Sequence, residues 1–383
     1  MPSTVIDRRR FLEALAALGI GPLVASPLSA QSQVRLELSD AQGFYLTARK
    51  HGGHYEAVVF DEQGRDLYVI DMPARGHSFA IDAERGRAVV FGRQPGFFAI
   101  AFDMAGKGGP ITIDAAPGRH FFGHGVFTPD GKILLATEND YEAGRGVLGI
   151  YDASEGGGFR RLGEYATGGV GPHEVVLLPG GREVCVANGG ILTHPDYGKL
   201  QLNAETMQSS LSYIDIRTGK LAEQVSLSPA LQRLSLRHMV VDRHGAVWVG
   251  CQYTGPAADQ PPLVGRHKRG GKLEMFAGSA AISRSMKNYV GSVALDSSGT
   301  VLATSSPLGG KVVYWDTRDG QCLGASDMSD ACGVAPSTGL GFLASNGHGE
   351  LSRVSHAEAG ASRVVLRPET SWDNHIRRIP KQL

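Results

Sequence analysis

The chain has 383 residues, 42% of them hydrophobic, with 38 Lys plus Arg set against 38 Asp plus Glu. That is enough apolar material for a large core, and the balanced charge gives no electrostatic reason to expect nucleic acid or an anionic membrane surface as a partner. Its 52 glycines, about twice the usual share, point to many tight turns and an all-β repeat architecture.

Residues 1–30 read as an export signal and are set apart from the fold. "DRRRFLEALAALGIGPLVASPLSA" opens basic, runs through a modest apolar segment and ends on small residues at Ser29-Ala30. The apolar segment is too short and too interrupted by Gly and Pro to cross a bilayer, so no membrane span is expected after its removal. Arg8-Arg9, then Arg10, then Phe11-Leu12 match the core of a twin-arginine signal, with Glu13 where a lysine is common. The mature chain, 31–383, is therefore expected in the periplasm as a monomer. The twin-arginine route carries folded proteins, often ones that acquire a cofactor before export, which raises the interest of any metal-ligating pattern.

The mature chain opens with three strand candidates, "FYLTARK", "YEAVVFD" and "DLYVIDM". A repeating pattern follows: an apolar run, a Gly-containing turn, a second apolar run, and a third that often ends in Asp. "HSFAIDAERGRAVVFG" leads to "FFAIAFD", "HGVFTPDGKILLATEND" to "GVLGIYD", and "HEVVLLPGGREVCVANGG" to "SLSYIDIRTGK". "HMVVDRHGAVWVGCQY" then leads to "GKLEMFAG", "SVALDSSGTVLATSS" to "KVVYWDTRDG", and "CGVAPSTGLGFLASNG" to "ELSRVS". Units of this kind are four-stranded propeller blades. The last candidate strand, "NHIRRIP", has no followers, and the N-terminal three lack a first strand. Joining one to three completes a seventh blade and leaves no open sheet edge at the seam. The expected fold is an all-β seven-bladed propeller over 31–383.

Two stretches lack strand alternation. "ILTHPDYGKLQLNAETMQSS" reads as a long loop on one face of the ring, of the length that is usually functional or mobile. "TGPAADQPPLVGRHKRG" reads as a solvated, locally basic connection.

Aligned on the start of each first strand, the units begin at His77, His124, His173, His238, Ser292, Cys332 and His375, separated by 47, 49, 65, 54, 40 and 43 residues. The glycine of the next turn lies seven residues on at Gly131, Gly245, Gly299 and Gly339, eight on at Gly181 and nine on at Gly86. With 13 histidines in the whole chain, five at one repeat position is a strong signal. First strands line the channel of a propeller, so equivalent residues form a ring about its axis. Neutral imidazole suits copper, iron, zinc and nickel, and a thiolate favours softer metals. His77, His124, His173, His238, Cys332 and His375 are thus the candidate ligands, with copper or iron as the expected ion. Seven residues around a channel cannot all reach one ion at about 2.0–2.1 Å, so three or four would hold one, or more would share a cluster. Two other readings apply to the same residues: structural Gly-His dipeptides of the WD40 kind, and a wet channel lined by hydrogen-bonded histidines.

Glu174, Asp373 and Asn374 are candidates to orient the ligands. His120, His194 and Asp196 are expected on loops capping the channel, and His51, His54, His244, His267, His348 and His356 on the surface. Cys185, Cys251 and Met239 read as core. The four cysteines form no CxxC or CxxCH motif, and a Cys322–Cys332 bridge stays open.

The twin-arginine start, "GVGPHE", "NGGILTHPDYGKLQLN", "SLSYID" and "LRHMVVD" resemble a family of exported bacterial propellers of unassigned function. The resemblance covers essentially the whole mature chain. It implies genes placed beside imelysin-type iron-uptake proteins and a di-haem protein, and hence periplasmic iron or copper handling with such proteins as partners. It transfers no catalytic residues. An enzyme, quinoprotein-dehydrogenase-like or lactonase-like and acting at the channel mouth, is the alternative, although no GxSxG motif supports hydrolysis.

Overall fold

The structure is a computed structural model and describes residues 43–198, 200–357 and 361–380. The export signal lies outside the described residues. The described chain forms seven four-stranded antiparallel sheets. The first blade is β4 (Gly76–Asp82), β5 (Arg87–Gly92), β6 (Phe98–Asp103) and β7 (Ile111–Asp114). The second is β8 (Arg119–Phe127), β9 (Ile133–Asp140), β10 (Arg145–Asp152) and β11 (Arg160–Ala166). The third is β12 (Pro172–Leu177), β13 (Glu183–Asn188), β14 (Ser210–Asp215) and β15 (Leu221–Ser226). The fourth is β16 (Leu234–Val241), β17 (Ala246–Tyr253), β18 (Val264–Lys268) and β19 (Glu274–Phe276). A short helix, α1 (Ala280–Ser285), leads to the fifth: β20 (Ser292–Leu295), β21 (Val301–Ser306), β22 (Lys311–Asp316) and β23 (Cys322–Asp327). The sixth is β24 (Ala331–Pro336), β25 (Phe342–Asn346), β26 (Glu350–Val354) and β27 (Ser362–Leu366). The seventh joins β28 (Thr370–Arg378) to β1 (Phe44–His51), β2 (His54–Asp61) and β3 (Asp66–Met72).

The expected count and the expected seam are both found. Each inner strand touches the inner strand of the next blade, and β28 completes the circle by touching β4. Middle strands are packed on both faces by neighbouring blades, so they read as continuous apolar runs; β5 is buried from Ala88 to Gly92. Outer strands alternate or stay exposed, as in β15 and β23, and these polar fourth strands are the elements least visible in the sequence. The Asp that ends many third strands has a local job. Asp61, Asp103, Asp152, Asp215 and Asp316 each accept a backbone N–H from two residues on, at 2.8–3.1 Å, which starts the turn to the fourth strand.

Two expectations are corrected here. The basic half of 254–270 is strand β18 and not a loop: the Arg266 guanidinium lies over Trp248 and Phe276, 5.2 and 5.4 Å from the ring centroids, so a charged side chain covers apolar surface. His267 is wholly buried and not at the surface, held by the Tyr213 hydroxyl at 2.6 Å and Gly271 O at 3.2 Å. Among the other histidines expected outside, His51 is half-buried and His54, His244, His348 and His356 are exposed. Cys185, Cys251 and Met239 are buried core residues. Cys322 and Cys332 are free thiols.

At the seam, Trp372 is buried against Phe60 at 5.9 Å between ring centroids, and the Arg49 guanidinium sits 5.5 Å from the Trp372 centroid. Tyr45, Val58, Leu343 and Ile376 complete this inter-blade cluster. Truncating a buried tryptophan removes its transfer free energy and leaves a cavity, so Trp372→Ala should cost about 3–5 kcal/mol, measured by urea denaturation. An exposed-site control, Leu366→Ala, should stay within about 0.5 kcal/mol of wild type.

Candidate metal centre

Five histidines reach the axis by the same local device. His77 and His173 are second residues of β4 and β12, whereas β8, β16 and β28 begin four or five residues ahead of His124, His238 and His375. At each, pairing with the second strand slips: between Gly76 and Phe79, Phe121 and Gly125, Pro172 and Glu174, Leu236 and His238, and on β1 between Thr47 and Arg49, opposite residues 373–375. A bulge bends the strand and re-aims its side chains. Carbonyls released from the ladder find hydroxyl donors: Thr137 Oγ1 donates to His124 O at 3.1 Å and Thr47 Oγ1 to His375 O at 2.7 Å. At Ser292 the pairing runs on without a slip.

The rings converge. Neighbouring imidazole centroids are 4.6–6.3 Å apart, and all five residues are buried. Close approach depends on Gly123, whose φ is 108°; a Cβ there would stand 2.5 Å from His77 Cδ2. Two trios, His77/His124/His173 and His124/His238/His375, each offer three nitrogens within 4.8 Å of one another. Tetrahedral bonds of about 2.0–2.1 Å put ligand nitrogens about 3.4 Å apart, so small ring rotations would close either trio on an ion. Cys332 belongs to neither trio; its Sγ donates to Asp330 O at 3.2 Å.

Two buried carboxylates face the rings. Asp373 Oδ1 lies 3.5 Å from His77 Nδ1, and the two oxygens of Glu174 lie 3.5 Å from Nδ1 of His124 and of His238. Glu174 therefore serves the two neighbouring blades and not the adjacent His173. Asp373 also takes Arg75 at 2.5 Å and Arg93 at 3.1 Å, while Glu174 takes Arg377 and the backbone N–H of Met239 at 3.0 Å. Nε2 of His124, His173 and His375 has no hydrogen-bond partner although buried, and neither has Nδ1 of His238, for which Glu174 at 3.5 Å is an ion-pair neighbour only. Such orphaned polar atoms are uncommon in native interiors and call for an explanation, a bound ion among them.

Burial dominates the titration. It holds His77 down to about 3 despite Asp373 and His238 down to about 4 despite Glu174, and it takes His173 and His375 well below the usual imidazole value. For Glu174 and Asp373 burial works to raise the pKa. The guanidiniums and histidines around them outweigh it, so both stay ionised well below the usual carboxylate range. These four imidazoles are thus neutral near pH 7 and able to ligate.

Above the cluster is a cavity of ≈ 410 Å³, lined in part by His77, His173, His238, Arg93 and Arg237. Further along the inner strands a second, ≈ 270 Å³, is lined in part by His124, Glu174 and Arg377. The long loop after β13 walls the upper cavity with Ile191, Thr193 and Gln201. It carries a short 3-10 turn, Pro195–Tyr197, and is pinned where Asn203 bonds Leu192 N and Gly190 O at 2.8 Å. His194 and Asp196 sit on it as expected. His120 does not: it is a buried residue of β8, bonded to Phe121 O and to Asn139, which in turn holds Thr193 O, so it fastens the loop from below. Sequence reading missed Arg93, Arg237 and Tyr289, because each stands once, outside the repeat position.

Fold and site together define a seven-bladed propeller with a buried axial histidine cluster. The chain belongs to the family described as protein of unknown function, DUF1513, matched over residues 70–379. A search of curated proteins finds no match. Among solved structures it is similar to Kuenenia stuttgartiensis hydrazine synthase, at 15% identity and TM-score 0.57, covering 77% of this chain and 87% of that one. It is also similar to the Myceliophteria thermophila Cps50 (Swd1) β-propeller domain, at 11% identity and TM-score 0.53, covering 82% and 94%. At these identities the likeness is one of fold.

Unfolding exposes imidazoles to water, where they titrate near 6.5. Between that value and the lower native values the unfolded chain binds more protons, so stability falls as pH drops. Ionised Glu174 and Asp373 add a loss in the same direction below about pH 4. Metal-free protein should therefore lose urea resistance steadily from pH 6.5 to 4. His238→Gln should flatten that slope by up to about 1.4 kcal/mol per pH unit. An unchanged slope in the variant would show that His238 is not held neutral by burial.

Proposed function

We propose that this protein is a periplasmic metal-binding propeller that holds copper or iron at the axial histidines, in metal acquisition or redox handling. The observation that carries the reading is the set of three buried, unpartnered Nε2 atoms on His124, His173 and His375, in a cluster where Glu174 faces Nδ1 of His124 and Asp373 faces Nδ1 of His77. A carboxylate on one ring nitrogen fixes the tautomer and leaves the other free for a metal. Both trios need His124, whose Nδ1 faces Glu174, so one ion per chain is the expected load. An all-imidazole set binds divalent copper more tightly than iron or zinc, so iron loading would reflect supply and not intrinsic affinity.

The export signal supports a periplasmic setting, and the family resemblance supports imelysin-type or di-haem proteins as partners. The cavity beside the cluster gives a small molecule access to the ion, which supports the second reading, an enzyme of the quinoprotein-dehydrogenase-like or lactonase-like kind. Turnover that persists in metal-free protein would favour a hydrolase over the metal reading.

Protein purified from its native periplasm should contain close to one equivalent of copper or iron by elemental analysis. His124→Ala should reduce this by about tenfold or more, because it removes a ligand common to both trios, while circular dichroism stays that of a folded all-β protein. Metal-free native protein, or full loading of the variant, would refute the proposal.

A further inference from the structure

The cavity above the histidines is electrically one-sided. Its lining contains Arg93 and Arg237 and no Asp or Glu. Arg93 is compensated from behind by Asp373 at 3.1 Å. Arg237 has no ion pair among the described residues; its one hydrogen bond there is from Nε to Ser235 Oγ at 3.3 Å. Buried or half-buried guanidiniums are normally matched by an anion, since removing the charge from water is costly without one. The bulge at Leu236/His238 aims His238 at the axis and leaves Arg237 on the cavity wall beside it. Asn374 and Tyr289, joined at 3.0 Å, face the same space, and Gln94 and Gln252 add amide groups to the wall.

We infer that this cavity binds a small organic polycarboxylate, with one carboxylate on the Arg237 fork and the rest of the ligand over the histidine cluster. A planar guanidinium pairs with a carboxylate through two parallel N–H···O bonds. The volume lies in the range of organic-ligand sites and is too large for a lone inorganic anion to fill. Amide and hydroxyl groups suit the remaining oxygens. The inference deepens the metal reading, on which it rests for one point only: a hydroxycarboxylate that reached the cluster would supply oxygen donors to an ion held from below by imidazoles. The anion site itself depends on Arg237 and not on the ion.

Isothermal titration of citrate into metal-free protein at neutral pH and low ionic strength tests it. Wild type should bind citrate at one site, Arg237→Gln should weaken it about tenfold or more, and Arg237→Lys should fall between them. Leu366→Ala, an exposed substitution outside the cavity lining, should bind citrate as wild type does. Wild-type protein that comes metal-free from its native periplasm and still binds citrate would refute only the metal reading. Absence of citrate binding by metal-free wild type, equal binding by folded Arg237→Gln, or inorganic phosphate binding as tightly as citrate would each overturn the inference. Should Arg237→Gln fail to fold, equal citrate affinity in Arg237→Lys and wild type would count against it, because an ammonium cannot replace the planar fork.

Discussion

The pairing of β28 with β1 is the constraint on which the rest of the molecule depends. It joins the two ends of the chain in one sheet and removes the open edges that a seven-bladed ring would otherwise carry. The same strand supplies the site. Asp373, Asn374 and His375 occupy its bulge, and Arg377 reaches Glu174 from it. A ring that failed to close would lose one histidine of the cluster, the Asp373 carboxylate that faces His77, and the cation that holds Glu174. Fold closure and site assembly are therefore one event, driven by burial of Trp372, Tyr45 and Ile376 against the sixth and seventh blades.

Holding five imidazoles in a buried centre opposes folding. Each is buried, and four of them leave a buried nitrogen without a hydrogen-bond partner. The structure offsets part of this with two carboxylates, themselves kept ionised by Arg75, Arg93 and Arg377. A neutral, preorientated set of nitrogens with lone pairs unspent is the state a metal ion needs, and an ion would convert the remaining cost into binding energy. Above the cluster the charge tips positive, because among the described residues Arg237 has no carboxylate to match it. Cluster and cavity then form a graded site: soft nitrogen donors at the bottom, a cationic, amide-rich chamber over them.

How much of this was legible in the sequence follows from how often each feature repeats. Blade number, the seam and the histidine ring repeat or close a count, so they could be read. Six first strands were located from turn glycines and the seventh from the seam, but the bulges that turn His124, His238 and His375 inward were not, since a bulge is set by pairing with another strand and leaves no composition of its own. Polar outer strands such as β15 and β23 lack the apolar run that marks a buried strand. Cys332 shares the ring position and still stands apart from both trios, because its thiol turns to Asp330 O. His120 and His267 look like loop residues by neighbourhood and are buried by tertiary contacts with Asn139 and Tyr213. Arg237 occurs once, beside a histidine that drew the attention.

The central claim is that the axial imidazoles are metal ligands and not merely a packed polar core. A crystal of the copper-loaded protein, measured at the copper absorption edge, tests it most directly. The account predicts one anomalous peak on the propeller axis, with His124 Nε2 and at least two other ring nitrogens of the cluster at bonding distance, about 2.0–2.1 Å by analogy with zinc–imidazole sites. An anomalous peak elsewhere, or an empty axis with rings unmoved and their Nε2 atoms hydrogen-bonded to water, would contradict it.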